Sequence, residues 1–221
     1  MKNYGIILAA GKGKRFGGLK QFFLINNIPL FIYSTIAFQN SNCDEIFIVT
    51  LENKKKEVRQ WINTFSLSKV KKIISGGKER YHSVMNALKF LPAKGYVAIH
   101  DASRPLITPN FINHGFNLVK KYKAVVFGIP TEDTLKIIYD NEIITTLERE
   151  NVYRIQTPQF FDIALLKKAY SLAKKYQWQG LDDATFLEKA GFKVYFFKGD
   201  KKNIKITTKE DLKLIKNLLR K

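Results

Sequence analysis

The segment Tyr4-Gly-Ile-Ile-Leu-Ala-Ala-Gly-Lys-Gly-Lys-Arg-Phe-Gly-Gly-Leu-Lys-Gln21 holds the residues best suited to chemistry. Gly5 to Ala9 reads as a buried strand. The loop after it carries Gly11, Gly13, Gly17 and Gly18 among Lys12, Lys14, Arg15 and Lys20. Glycine lets the backbone approach a ligand and turn its N–H groups inward. Cations beside those N–H groups suit a polyanion, most simply a nucleotide triphosphate. Two common phosphate loops do not fit. The dinucleotide fingerprint is G-x-G-x-x-G, but Gly11, Gly13 and Gly17 are spaced G-x-G-x-x-x-G. The P-loop fails because Leu19 and Lys20 follow Gly18 where Lys and Ser or Thr are needed. What remains is A-A-G-x-G-x-R followed by K-Q.

Other chemistry-bearing residues follow strand-like runs. Ser75-Gly-Gly-Lys-Glu-Arg-Tyr-His-Ser83 is a second glycine turn opening a helix, and its backbone and the Ser83 hydroxyl are placed to read the edge of a base. His100-Asp-Ala-Ser-Arg-Pro105 puts Asp101 at a strand end beside the phosphate loop. Mg²⁺ takes one or two carboxylates plus phosphate oxygens, so Asp101 is a candidate metal ligand. The plainer alternative makes Asp101 a helix cap or a salt-bridge partner of Arg104. His82 and His100 have no second histidine at ligand spacing and read as structural, or as supports behind the site. Glu132 to Lys136, Arg149, Thr157-Pro-Gln159 and the short strand Asn203-Ile-Lys-Ile-Thr207 are further fragments, each weak alone.

The elements that must position these residues alternate. Strand-like runs fall at Glu45–Thr50, Val70–Ile74, Tyr96–His100, Ala124–Ile129 and Lys193–Phe197. Helical patterns fall at Pro29–Gln39, Lys54–Phe65, Arg80–Phe90 and Pro109–Tyr122. This implies an α/β fold, a mostly parallel sheet with helices on both faces. Ligands in such sheets bind beyond the carboxyl ends of the strands. Thr134 to Ile155 breaks the alternation as two or three short strands around a turn at Asp140-Asn141. An isolated hairpin is barely stable, so this β-arm needs something to lie against, such as a second subunit. Thr207-Thr208-Lys209-Glu210 reads as a capping box opening a C-terminal amphipathic helix.

A chain of 221 residues is usually one domain with a real core. No apolar run approaches a membrane span, and Ile6 to Ala10 is too short for a signal-peptide core. The single cysteine, Cys43, cannot form an internal disulfide. These features favour a soluble cytoplasmic protein. The net charge of +19 raises nucleic-acid binding as a rival. However, the lysines are spread along the whole chain, with no basic tail, zinc-finger spacing or aromatic RNA-binding motif. A lysine-rich surface that steers anionic substrates accounts for the charge better.

Taken in order, A-A-G-x-G-x-R, K-Q, G-G-x-E-R-x-x-S-V, H-D-A-x-R-P, D-T-x-K, T-P-Q-F-F, D-D-A and N-I-K-x-T resemble the 2-C-methyl-D-erythritol 4-phosphate cytidylyltransferase family. Ribitol-5-phosphate cytidylyltransferases are close relatives. The resemblance spans nearly the whole chain. It implies a Rossmann-like fold of the nucleotide-diphospho-sugar transferase type. It also implies a nucleotidyltransferase that joins CMP from CTP to an alditol phosphate, with Mg²⁺, as a homodimer.

Its roles carry over residue by residue. Ala9, Ala10, Gly11 and Gly13 would wrap CTP, and Arg15 and Lys20 would stabilise charge on the triphosphate. Gly76, Gly77 and Ser83 would contact cytosine, with Ala102 near the ribose. Asp101 would hold Mg²⁺ at the substrate, and Lys205 would grip the α-phosphate. Arg104, Thr134, Arg149 and Thr157 would bind the sugar phosphate, the arm crossing to the other subunit. Leu19, Leu181 and Ser103 depart from the residues common in the family.

Overall fold

The computed structural model describes residues 1–13 and 16–219. In chain order the main elements are β1 (Asn3–Ala9), β2 (Leu24–Ile25), β3 (Ile28–Pro29), α1 (Leu30–Gln39), β4 (Glu45–Thr50), α2 (Lys55–Thr64), β5 (Val70–Ser75), α3 (Arg80–Leu88), β6 (Tyr96–Asp101) and α4 (Pro109–Tyr122). They continue with β7 (Ala124–Pro130), β8 (Lys136–Tyr139), β9 (Glu142–Thr146), β10 (Tyr153–Asp162), α5 (Ile163–Lys175), α6 (Ala184–Lys189), β11 (Tyr195–Lys198) and α7 (Lys209–Leu218).

Seven strands form one sheet in the order β11-β7-β10-β6-β1-β4-β5. β1 pairs in parallel with β4 and β6, β4 with β5, and β11 with β7. Only β10 runs antiparallel, between β6 and β7. Successive side chains on a strand face opposite ways, so a strand covered on both sides reads as a nearly continuous apolar run. β1 shows this. Ile6 packs with Val84 and Leu88 of α3 and Leu166 of α5, whereas its neighbour Ile7 packs on the other face with Phe31 of α1 and Phe116 of α4. Helices therefore cover both faces, as the alternation implies.

Four features differ from the sequence reading. The segment around Thr157-Pro-Gln159 is not the close of the arm but the middle of β10. Its proline lies where the ladder with β7 slips, between Gln156 and Phe160, and there a missing N–H costs little. Only β8 and β9 form the arm hairpin; Tyr153, Arg154 and Ile155 already pair with β7. Residues 203–207 form no strand: the segment is tied by the Ile206 N–H to the Ser103 carbonyl at 2.8 Å. The capping box of α7 also lies one residue later than expected. Thr208 is the cap, and the Asp211 carboxylate accepts from the Thr208 N–H at 2.9 Å.

Candidate active site

Three strands end side by side. β1 stops at Ala9 opposite Thr50, the last residue of β4, and Asp101, the last residue of β6, lies opposite Leu8. Beyond these carboxyl ends lies a cavity of about 500 Å³. Ala10, Gly11, Lys12 and Gly13 line it after β1, and Gly77 and Ser83 line it around the start of α3. Lys12, Lys20, Lys78, Arg80 and Lys205 face it against two carboxylates, Glu79 and Asp101. That excess of positive charge suits a polyanion.

The loop after β1 is shaped from within. Gln21 is buried, and its Nε2 donates to the Ala9 and Gly11 carbonyls, both at 2.9 Å. Gly13 has φ +61°, and a Cβ there would lie 1.8 Å from the Gly18 oxygen, so only glycine closes this turn. Lys20 Nζ donates to the Ile206 carbonyl at 2.6 Å, which brings the loop against the chain beside Lys205. Gly76 lets two strand exits touch, since a Cβ there would lie 2.4 Å from the Ala10 Cβ. Next to it, the Gly77 N–H donates to Ser83 Oγ at 3.0 Å.

Asp101 is the electrostatic centre. Its Oδ1 lies 3.1 Å from Arg80 Nε and its Oδ2 2.6 Å from Lys205 Nζ. Burial alone would raise its pKa; Arg80, then Lys205, reverse this and hold the carboxyl well below its ordinary range. The expected alternative partner, Arg104, forms no ion pair with it; the two are joined by the Arg104 N–H donating to the Asp101 carbonyl at 3.0 Å. The Arg104 guanidinium instead donates to the carbonyls of Asn203 at 2.7 Å and Ile155 at 3.4 Å, while its Nε is buried without a hydrogen-bond partner among the described residues.

Thr157 Oγ1 accepts from the Asp101 N–H at 3.0 Å and faces His100 Nδ1 at 3.3 Å. His100 Nε2 lies 3.1 Å from the Arg104 carbonyl. These partners assign the ring proton to Nε2, with Thr157 donating to Nδ1. The ring is fully buried, and burial pushes its pKa down to about 4. His100 is therefore a neutral strut, in line with the supporting role expected for it.

A second cavity, about 430 Å³, adjoins the first. Arg104, Thr157, Gln159, Asp182, Thr185 and Glu188 contribute to it, and Arg80, Asp101 and Lys205 line both cavities. Its mixture of cations, carboxylates and amides suits a polyol carrying an anionic group. Leu181 stands at its rim, 97% exposed.

The fold thus brings Ala10, Gly11, Gly13, Lys20, Gly77, Ser83, Asp101, Arg104, Thr157 and Lys205 to these two cavities. Ala9 and Ala102 are buried just behind, the latter with its N–H on the Leu8 carbonyl at 3.0 Å. Thr134 and Arg149 line neither cavity. Both are exposed near the arm, and Arg149 Nη1 donates to the Glu132 carbonyl at 3.4 Å. Arg15 lies outside the described residues. The sequence reading assigned no role to Gln21, Arg80 or Asp183. All three lie in fragments already conspicuous there, K-Q, G-G-x-E-R and D-D-A.

Residues 4–221 match the family model described as 2-C-methyl-D-erythritol 4-phosphate cytidylyltransferase. A protein of that name from Clostridium botulinum (strain Langeland) is 40% identical over 225 residues, covering 100% of this chain and 98% of its own. One from Halalkalibacterium halodurans is 38% identical over 210 residues, covering 94% and 92%. The crystal structure of 4-diphosphocytidyl-2C-methyl-D-erythritol synthase from Anaerococcus prevotii superposes with a TM-score of 0.87 at 28% identity, covering 100% of this chain and 96% of that one. A cytidylyltransferase structure from Thermus thermophilus gives 0.82 at 25% identity, with full coverage of both chains. A match this complete, on a sheet whose strand ends carry the expected loops, means that the chain belongs to the 2-C-methyl-D-erythritol 4-phosphate cytidylyltransferase family.

Proposed function

We propose a residue-level reading of how this chain carries out its family's reaction. The enzyme transfers CMP from CTP to 2-C-methyl-D-erythritol 4-phosphate, giving 4-diphosphocytidyl-2-C-methyl-D-erythritol and pyrophosphate in isoprenoid precursor biosynthesis. The relatives above are named for the methylerythritol substrate and not for ribitol 5-phosphate. One observation carries the residue assignment: Lys205, Asp101 and Arg80 form a wall common to both cavities. A reaction between two bound polyanions needs its cations at that junction.

CTP fills the larger cavity. The backbone of Ala9, Ala10, Gly11 and Gly13 wraps its phosphates, and Gly76, Gly77 and Ser83 read the cytosine, with Ala102 near the ribose. The alditol phosphate fills the second cavity, held by Arg104 and Thr157 and by Thr134 and Arg149 from a second subunit. The buried Arg104 Nε, which has no partner among the described residues, supports an anion there. A phosphate oxygen of the alditol forms a bond to the α-phosphorus as the bond to pyrophosphate breaks. The nucleophile is already anionic, so no general base is needed. Arg15, Lys20 and Lys205 stabilise charge developing on the phosphates, so positioning and electrostatics carry the rate.

Asp101 is the proposed ligand for Mg²⁺. Among the described residues, no three His, Cys, Asp or Glu side chains cluster as a metal site. A lone carboxylate fits Mg²⁺ only together with nucleotide phosphates, which is the arrangement this ion favours. When bound, the ion neutralises phosphate charge.

The chain acts as one cytidylyltransferase domain, residues 1–221, with a dimerisation arm at about 134–155. The exposed Ile137, Ile138, Tyr139, Ile143 and Ile144 on β8 and β9 support a homodimer, because an apolar hairpin of this kind marks an interaction site. Cytoplasmic location is part of the same reading; among the described residues no helix is long and apolar enough to cross a membrane. The direct test is pyrophosphate release with CTP and, separately, 2-C-methyl-D-erythritol 4-phosphate and ribitol 5-phosphate. Turnover of the ribitol substrate alone would overturn the substrate assignment.

A further inference from the structure

Asp101 belongs to both cavities, yet nothing in its own loop locks its carboxylate in place. Arg80, the first residue of α3, does so from across the site. Its Nε meets Asp101 Oδ1 at 3.1 Å, while its Nη1 meets Asp183 Oδ2 at 2.8 Å. Asp183 precedes α6 and is fully buried. Its Oδ1 accepts from the Tyr170 hydroxyl of α5 at 2.5 Å, and its N–H donates to Gln159 Oε1 of β10 at 3.1 Å. The two ion pairs therefore differ in kind. Asp183 is buried and hydrogen-bonded from α5 and β10; Asp101 is met at Oδ1 by the Arg80 that Asp183 anchors and at Oδ2 by Lys205.

Arginine is suited to this task because its planar fork fixes two partners at set angles, whereas a lysine ammonium does not. Packing alone does not account for the residue. Among the described residues the third nitrogen, Nη2, is buried with no hydrogen-bond partner, which costs stability. Asp183 would be left as an unpaired buried charge without Arg80, so the pair is also costly to break.

We propose that Arg80 is a positioning residue for the reaction: anchored by Asp183 and Tyr170, it fixes the Asp101 carboxylate at the wall between the nucleotide and alditol-phosphate cavities. This rests on the assignment of those cavities above. Arg80 lines both cavities, and in this role it acts through Asp101. The sequence held Arg80, Asp101 and Asp183 in separate fragments, and only the fold joins them.

The test uses the full-length enzyme carrying Arg80→Lys or Tyr170→Phe. Arg80→Lys keeps the charge and loses the fork; Tyr170→Phe removes one hydroxyl behind Asp183 and leaves every charge. Expected for Arg80→Lys is a kcat lowered by about tenfold to a hundredfold, the scale of a misplacement near 1 Å, with the KM for CTP changed by less than about threefold. Tyr170→Phe should show the same split in smaller measure. A merely structural role would lower the melting temperature and leave kcat per folded molecule alone.

A crystal structure of Arg80→Lys provides a readout that does not depend on turnover. The Asp101 carboxylate should leave its present position while the Tyr170–Asp183 hydrogen bond persists. An unmoved carboxylate, or a folded Arg80→Lys enzyme turning over within about twofold of wild type, overturns the proposal. If Arg80→Lys does not fold, Tyr170→Phe decides: unchanged kcat overturns it and a selective fall in kcat supports it. Wild-type enzyme inactive on CTP and the methylerythritol phosphate would instead overturn the function assigned above, and the carboxylate position would still test the anchor.

Discussion

Lys205 Nζ lies 2.6 Å from Asp101 Oδ2, although 104 residues separate them in the chain. Asp101 ends a central strand, and Lys205 sits on a connecting segment outside the sheet. The pair places one cation and one carboxylate of the proposed mechanism in mutual contact. A phosphate entering the site competes with Asp101 for the lysine. The proposed α-phosphate contact is therefore an exchange of partners, not the capture of an unoccupied ammonium.

Lys20→Ala should retain the fold, since a partly buried bond such as that to the Ile206 carbonyl is worth about 1 kcal/mol. Its kcat should fall by about 10² or more, the scale for losing one charge-stabilising donor. Steady-state pyrophosphate release checks this. Near-normal turnover by a folded variant would take Lys20 out of the mechanism.

Asp101→Asn removes the carboxylate shared by Arg80 and Lys205. It should lower turnover and weaken the Mg²⁺ dependence while CTP still binds through its base. Because the folded-state pKa is depressed, the ion pairs contribute stability above about pH 4 and lose it only as pH falls further. Asp101→Asn should therefore flatten the acid end of the stability profile below about pH 4. An unchanged Mg²⁺ titration would show that Asp101 serves only the ion pairs.

His100 gives a separate pH signature. Its pKa is pushed down to about 4 by burial, from an ordinary 6.5. Between those values the unfolded chain binds a proton that the native ring refuses. Stability then falls as pH drops through this window, by roughly 3 kcal/mol at most. Urea unfolding of the ligand-free protein from pH 7 to 4 should show the decline, and His100→Asn should lack it despite lower stability overall. Equal slopes for the two proteins would contradict the neutral-strut assignment.

The arm is tested by complementation. Lys20→Ala and Arg149→Ala proteins should each be inactive, yet a mixture that exchanges subunits should regain activity. In the mixed dimer one site receives both intact groups, one from each chain. With exchange verified, no recovery would mean that Arg149 serves its own chain or no site at all.

Much of this protein is legible in its sequence. The unbroken apolar run of β1 marks a strand buried on two faces, and the glycines and cations after it mark a phosphate loop, because local backbone needs dictate those residue types. The alternation of strand and helix patterns then places the loops at one edge of a parallel sheet. The antiparallel β10 was hidden because Pro158 argues against a central strand, and only the slipped ladder beside it removes the objection.

What the tertiary structure alone decided is partnership. Asp101 could have paired with its neighbour Arg104; the fold gives it Arg80 and Lys205 instead. Gln21 turned inward to hold the Ala9 and Gly11 carbonyls, a role no spacing announces. Local sequence specifies the conformation each segment prefers. Which charges meet depends on how the sheet and helices carry distant segments to the same place.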